Sequence, residues 1–266
     1  MPGSGMQSVD TPAGRIEYRW VGHRGTALHD ASLPVLVFLH EGLGCVALWR
    51  DFPDQLAQAT GLPALVYSRI GYGGSSPCAL PRPLTYMHEE GEVGLPALLA
   101  ALGIQKHILV GHSDGASISL IYAGAKTHDD LLGVAVLAPH SFCEEVSVSS
   151  IRTAGKAYAE GDLRARLAKY HGENVDCAFR GWCDAWLDPA FMHWNIEAYV
   201  DRISVPVLVI QGEDDEYGTA AQVGSIARRT KGGVETLLLP GCGHSPQRDQ
   251  PAATLKALAA FVEELV

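Results

Sequence analysis

A serine, a histidine and a run of carboxylates in this chain are the residue types of a relay that makes a hydroxyl nucleophilic. The serine is Ser113 in Ile108-Leu109-Val110-Gly111-His112-Ser113-Asp114-Gly115, where a short apolar run stops at Gly111. Gly111 and Gly115 flank it symmetrically. A tight turn can then push the Ser113 hydroxyl outward, with no Cβ to collide with the neighbouring strand or helix. The stretch from Ser113 to Ala125 is rich in Ala, Ser and Gly and is expected to be a helix packed closely on a sheet. A serine at the start of such a helix lies beside unpaired backbone N–H groups, including that of Asp114, which suit an oxyanion.

A hydroxyl is almost wholly protonated at neutral pH, so it needs a base. His244 is the best placed of the eleven histidines, in Pro240-Gly241-Cys242-Gly243-His244-Ser245-Pro246 directly after the last strand-like run. Glycines on both sides of Cys242 let that loop carry an imidazole back over a sheet. His23, His29, His128 and His171 read as surface residues, and His40 and His112 as structural neighbours of the site. The relay also needs a carboxylate to fix the histidine tautomer. Glu213, Asp214, Asp215 and Glu216 follow the apolar run Val207 to Ile210. Adjacent acids on a loop are ordinarily a solvated turn; Asp215 is the expected partner, with Asp214 as the alternative.

These residues must be positioned by a scaffold, and the hydrophobic pattern describes one. Short apolar β-branched runs alternate with longer amphipathic stretches, the pattern of a mostly parallel sheet flanked by helices, an α/β fold. Strands are expected at Arg15–Val21 (in an opening antiparallel hairpin), Pro34–Leu39, Pro63–Tyr67, His107–Val110, Leu132–Leu137, Pro206–Ile210 and Glu235–Leu239. Helices are expected at Ala47–Thr60 and Tyr86–Leu102, the second with irregularities at Gly94 and Pro96. A last helix is capped by Asp249, has Pro251 in its first turn, and presents Leu255, Leu258, Val262 and Leu265 on one face. From residue 140 to 200 no sheet strand is evident, and helix-like segments carry Trp182, Trp186 and Trp194 among other aromatics. The organisation is therefore a core of residues 1–139 and 201–266 with a helical lid, 140–200, inserted over the strand ends.

A formal net charge of −10 argues against an electrostatic grip on nucleic acid or an anionic membrane. No stretch approaches bilayer length, and MPGSGMQSVD has neither the basic start nor the apolar run of a secretory signal, so the expected location is cytoplasmic. The six cysteines are expected to be reduced, mostly buried thiols, and a Cys177–Cys183 disulfide is disfavoured.

The order Ser, Asp, His resembles that of the α/β-hydrolase fold superfamily. So do Gly212-Glu213-Asp214-Asp215 after a strand, the histidine loop Gly241 to Pro246, and the strand–Gly-x-Ser-x-Gly–helix elbow. The resemblance runs from about residue 15 to the C-terminus. His40-Glu41-Gly42-Leu43-Gly44 is similar to the family's His-Gly-x-x-Gly loop, which implies that Gly42 supplies a second oxyanion N–H beside Asp114. Glu41 stands where relatives have glycine and brings a carboxylate near the site. Tyr67 to Ser76 resembles a second family segment, with Ser68 at an Asp position, and reads as scaffolding.

The resemblance implies acyl transfer on a small-molecule ester, with no metal or organic cofactor. Dehalogenases and epoxide hydrolases of this fold carry Asp at the nucleophile position, which here is Ser113. Asp114 resembles the acid of the Ser-Asp-Gly elbow in valacyclovir hydrolase-like enzymes, where it helps bind an α-amino group. Asp114 and Glu41 are therefore expected to favour amine-bearing esters, with Trp182 and Trp186 of the lid as further substrate contacts. A lactonase or C–C bond hydrolase would use the same triad, and a non-catalytic small-ligand receptor the same fold.

Overall fold

The computed structural model describes residues 5–22 and 33–266. His23, His29 and the first four residues of the N-terminal stretch lie outside the described residues. Eight strands form one sheet in the order β1-β2-β4-β3-β5-β6-β7-β8. They are β1 (Gln7–Thr11), β2 (Gly14–Val21), β3 (Val35–Leu39), β4 (Ala64–Ser68), β5 (His107–His112), β6 (Leu131–Leu137), β7 (Val207–Gly212) and β8 (Val234–Leu239). The β1–β2 and β2–β4 pairs are antiparallel; the pairs from β4 through β8 are parallel. Pro34, Pro63 and Pro206 each stand one residue before a parallel strand, where the missing N–H costs the ladder nothing.

The central strands are apolar on both faces because both faces are covered. Val35, Val37 and Leu39 of β3 pack into one core with Leu109 of β5 and Val134 and Val136 of β6. Leu36 and Phe38 point the other way, into a second core with Ile108, Val110 and Ala135. Helix α1 (Phe52–Thr60) supplies Phe52 and Leu56 to that second core. The first core takes α2 (Tyr86–Glu89), α3 (Leu95–Ala101) and α4 (Asp114–Ala125).

Several local expectations are corrected. The helix expected at Ala47–Thr60 is a 3₁₀ turn, Val46–Trp49, followed by α1, with Arg50 at φ 54° between them. Pro53 has no N–H to bond the Trp49 carbonyl, so one continuous helix could not pass through it. The segment 86–102 carries a π turn, Glu90–Gly94, between α2 and α3; it includes Gly94, one of the two positions where an irregularity is expected, whereas Pro96 falls in the first turn of α3. After β6 and before β7 come α5 (Glu145–Glu160), α6 (Leu163–His171), α7 (Val175–Leu187) and α8 (Glu197–Val200). Tyr158 stacks on Phe179 at 3.6 Å and Phe191 on Trp194 at 5.4 Å, so part of the aromatic content packs this insertion on itself.

Helix α9 (Ala220–Arg229), absent from the sequence reading, is capped by Thr219, whose Oγ1 accepts from the Ala221 amide at 3.2 Å. The short α10 (Pro246–Asp249) leads into α11 (Pro251–Leu265), which buries Leu258, Phe261 and Val262. Asp249 is not the cap of α11: its Oδ2 accepts from the Gly243 amide at 3.0 Å and braces the histidine loop. His171 is buried, not superficial; its Nδ1 accepts from Gly73 and its Nε2 donates to the Leu43 carbonyl. Cys78 and Cys177 are joined, against the expectation of reduced thiols throughout, while Cys183 is free and buried. Those two sulfurs lie 99 residues apart in sequence and meet because the loop after β4 crosses α7.

Candidate active site

Ser113 sits between β5 and α4 at φ 53° and ψ −118°, a strained conformation for a side chain with a Cβ. The turn is held by the Ser113 amide on the Leu137 carbonyl at 2.9 Å, and the Ser113 carbonyl accepts from Ala116 and Ser117. A Cβ at Gly111 would overlap the Gly115 carbonyl, and one at Gly115 would overlap that of Leu39. The two glycines are thus what allows β5, the turn and α4 to fit beside β3.

His244 is delivered by the loop between β8 and α10. Its own amide donates to Glu216 Oε2 at 3.2 Å, and its carbonyl accepts from His112 Nε2 at 2.7 Å. The side chain then has one direction to take. Nδ1 donates to Asp215 Oδ1 at 2.8 Å, which leaves Nε2 to accept from Ser113 Oγ at 2.9 Å. Asp215 is chosen over Asp214 because its carboxylate turns back under the loop. Its side chain is only 1% exposed, and Oδ1 also accepts from the Tyr217 amide at 2.8 Å. Burial alone would raise its pKa, but the bonds from His244 and the Tyr217 amide hold it below the ordinary carboxylate value. Asp214 is exposed, and only its backbone engages the histidine loop. The acid loop is pinned in turn by the insertion, since Ser150 Oγ donates to the Glu216 carbonyl at 2.6 Å.

Ser113 and His244 border a cavity of about 200 Å³, together with Gly42, Asp114, Glu41, Trp182 and Trp186. The two backbone positions expected to hold an oxyanion therefore lie on the same cavity as the serine. A Cβ at Gly42 would overlap the Trp182 indole, so a glycine is required for the insertion to close on that loop. Glu41 Oε2 lies 3.5 Å from His112 Nδ1, and Oε1 lies 3.5 Å from Arg248. Burial opposes its ionisation, but His112 and Arg248 outweigh this and hold the carboxyl far below its usual range.

Asp114 is fully buried. Tyr86 donates its hydroxyl to Oδ2 at 2.5 Å, and Trp186 Nε1 donates to that same hydroxyl oxygen at 3.1 Å. Behind it, Arg69 approaches Oδ2 at 3.9 Å and donates to the Glu41 carbonyl at 3.0 Å. The segment Tyr67 to Ser76 is thus more than scaffolding: it slides a guanidinium beneath the site, a direction no strand pattern reveals. His40 is structural as expected, with Nε2 accepting from the Arg69 amide and Nδ1 donating to the Glu41 carbonyl. Sequence reasoning missed Tyr86, His140, Tyr217 and Arg248. Of these, His140 alone carried a signal, since it stands at the carboxyl end of a strand, where open α/β sheets place their ligands.

A serine, an imidazole and a buried carboxylate in line, beside a small cavity, can generate an alkoxide-like nucleophile without further chemistry. A family model described as the alpha/beta hydrolase family matches residues 36–257, and the chain belongs to that family. It is 34% identical over 110 residues to epoxide hydrolase 3 of Siraitia grosvenorii, covering 40% of this chain and 33% of that protein. It is 35% identical over 107 residues to a proline iminopeptidase of Lactobacillus helveticus (strain DPC 4571), covering 40% and 33%. The chain thus spans about a third of the length of these curated relatives. The esterase RhEst1 from Rhodococcus sp. ECU1013 superposes with a TM-score of 0.72 over 98% of this chain and 99% of that one. At 18% identity, that likeness is one of fold. No helix of the described residues is long and apolar enough to cross a membrane.

Proposed function

We propose that the protein is a serine hydrolase that cleaves a small carboxylic ester through an acyl-enzyme on Ser113. The observation that carries this reading is the unbroken line from Ser113 through His244 to Asp215, at 2.9 and 2.8 Å. His244 takes the Ser113 proton as Oγ attacks the carbonyl carbon, and gives it to the departing alcohol. Water activated by the same imidazole then attacks the acyl-enzyme, releasing the acid and restoring Ser113. Asp215 keeps the proton on Nδ1 and stabilises the imidazolium. The Gly42 and Asp114 amides hold the oxyanion, and losing one such donor typically costs about 10²–10³ in rate. Serine rather than aspartate at the nucleophile position favours this acyl transfer over the chemistry named for the epoxide hydrolase relative.

The cavity wall supports a substrate class. Among the described residues, Glu41, Asp114 and Glu216 line it against one guanidinium, that of Arg248, with the Arg69 guanidinium 3.9 Å behind Asp114, and this excess of carboxylates suits an ester carrying an amine. Asp114 is the residue next to the nucleophile, and only one of its oxygens is engaged by Tyr86. Replacing it by Asn is expected to weaken turnover of amino esters more than that of neutral esters; equal losses would remove the amine from the proposal.

The first test is steady-state hydrolysis of short-chain p-nitrophenyl esters by the wild type and by Ser113→Ala. Turnover abolished by the substitution is the expected result, and turnover unaffected by it would mean a different nucleophile. A panel of lactones and diketones in the same assay separates ester cleavage from the lactonase and C–C alternatives.

A further inference from the structure

Two buried acceptor atoms on residues lining the cavity have no partner among the described residues: Asp114 Oδ1 and His140 Nδ1. No cavity-lining side chain among the described residues has a buried donor in the same position. An unpartnered donor, Arg69 Nη1, lies 3.9 Å from Asp114 Oδ2 but behind the lining, so the unmet groups on the lining residues themselves are acceptors.

His140 stands three residues beyond β6, where the sheet gives way to the insertion, and is 2% exposed. Its ring packs edge-on to Trp186 at 5.3 Å between centroids and lies 5.7 Å from the ring of His244. Nε2 is 3.0 Å from the Tyr217 carbonyl oxygen, which can only accept, so Nε2 carries the proton. Burial, then the nearby His244, lowers the pKa of this ring below the ordinary histidine value, although the Tyr217 carbonyl, Asp215 and Asp114 act against them. At neutral pH the ring has one proton, and Nδ1 presents a lone pair. The acyl-transfer relay makes no use of this atom, because Asp215 and Ser113 occupy both nitrogens of His244.

We propose that His140 is a specificity-determining residue whose Nδ1 accepts a hydrogen bond from an N–H or O–H of the bound substrate. The inference rests on the serine-hydrolase reading and deepens it by stating what the substrate must carry. Asp114 and His140 divide the task. Asp114 responds to positive charge, whereas His140 responds to a donor hydrogen whether or not the group is charged. A buried acceptor built to be paired discriminates strongly against an analogue that cannot pair it.

The test uses two isosteric series in which one group changes from NH₃⁺ to OH to CH₃. On the acyl side these are the benzyl esters of alanine, 2-hydroxypropanoic acid and 2-methylpropanoic acid. On the alcohol side they are 2-aminoethyl, 2-hydroxyethyl and propyl butyrate. In at least one series, wild-type kcat/KM for the hydroxy ester should exceed that for the methyl isostere by about tenfold, one good hydrogen bond. His140→Leu should erase that ratio, whatever it does to the methyl ester itself, and His140→Asn, which keeps an acceptor, should restore part of it. The melting temperature reports whether the variants fold. Equal losses on all three esters of both series would overturn the role of His140. So would a wild type that does not distinguish OH from CH₃ in either series, a result that needs no variant. A folded wild type that turns over none of the esters would instead bring down the hydrolase reading, a separate failure.

Discussion

Two groups of residues around Ser113 are built differently. His244 and Asp215 are held by the Tyr217 amide, the Glu216 carboxylate and the His112 ring, and both imidazole nitrogens are engaged. Asp114 and His140 border the same cavity, and each keeps one acceptor unpaired among the described residues. Buried polar groups are normally satisfied, so under the proposed function an engaged relay beside a partly unsatisfied wall separates machinery from recognition. The relay is preorganised and needs no substrate to assemble it. Under the proposal for His140, the wall takes a partner that brings its own hydrogens.

The comparison is broken most severely through the relay. Asp215→Asn should lower kcat by about 10⁴, since an amide can present its N–H to the imidazole and leave the wrong tautomer facing Ser113. Asp214→Asn, on an exposed residue with only backbone bonds to the histidine loop, should leave kcat within about twofold of wild type, because surface substitutions of this kind are usually mild. Steady-state kinetics on one p-nitrophenyl ester measures both. Comparable losses from the two variants would mean that the acid is shared rather than assigned.

A smaller effect is expected from the wall. Tyr86→Phe removes the donor to Asp114 Oδ2 and the acceptor of Trp186 Nε1, leaving both buried groups short of a partner. Urea unfolding should show a loss of about 1–3 kcal/mol. The ratio of amino-ester to neutral-ester turnover should move with it, while the catalytic relay stays intact. A stability loss with an unchanged ratio would make Tyr86 a packing residue alone.

The smallest effect is one of pH. The folded-state pKa of Asp215 lies below its ordinary value, so its ionised form contributes stability that is fully present above the unfolded pKa near 4. That contribution is lost as pH falls through the folded value. The stability difference between wild type and Asp215→Asn should therefore shrink as pH falls from about 5 toward 3. Urea melts between pH 3 and 5 follow it, and a difference that grows toward acid over that range would contradict the assignment.

Much of the relay was legible in the residues themselves. Ser113 could be found because the steric demands of a sharp turn leave glycine at two fixed positions, and His244 because its loop directly follows a strand. Choosing Asp215 from four acids relied on spacing from Gly212, and the structure brings it to His244 through a bond at 2.8 Å. The sheet was readable because strands covered on both faces must be apolar on both. What escaped depends on approach between distant segments. Arg69 reaches Asp114 from another strand end, and Cys78 meets Cys177 across 99 residues. His171 is buried only because α6 lies against the loops after β3 and β4. By contrast, α9 was within reach: Thr219 is a good cap, and Val223 and Ile226 have helical spacing.

The central claim is that Ser113 is a nucleophile activated by His244, and covalent capture tests it most directly. The wild type, Ser113→Ala and His244→Ala are each incubated with an alkyl fluorophosphonate and read by intact mass and peptide mapping. A single adduct on the peptide containing Ser113, absent from Ser113→Ala and strongly slowed in His244→Ala, is the predicted result. An adduct that persists in Ser113→Ala, or a folded wild type that takes none, would contradict it.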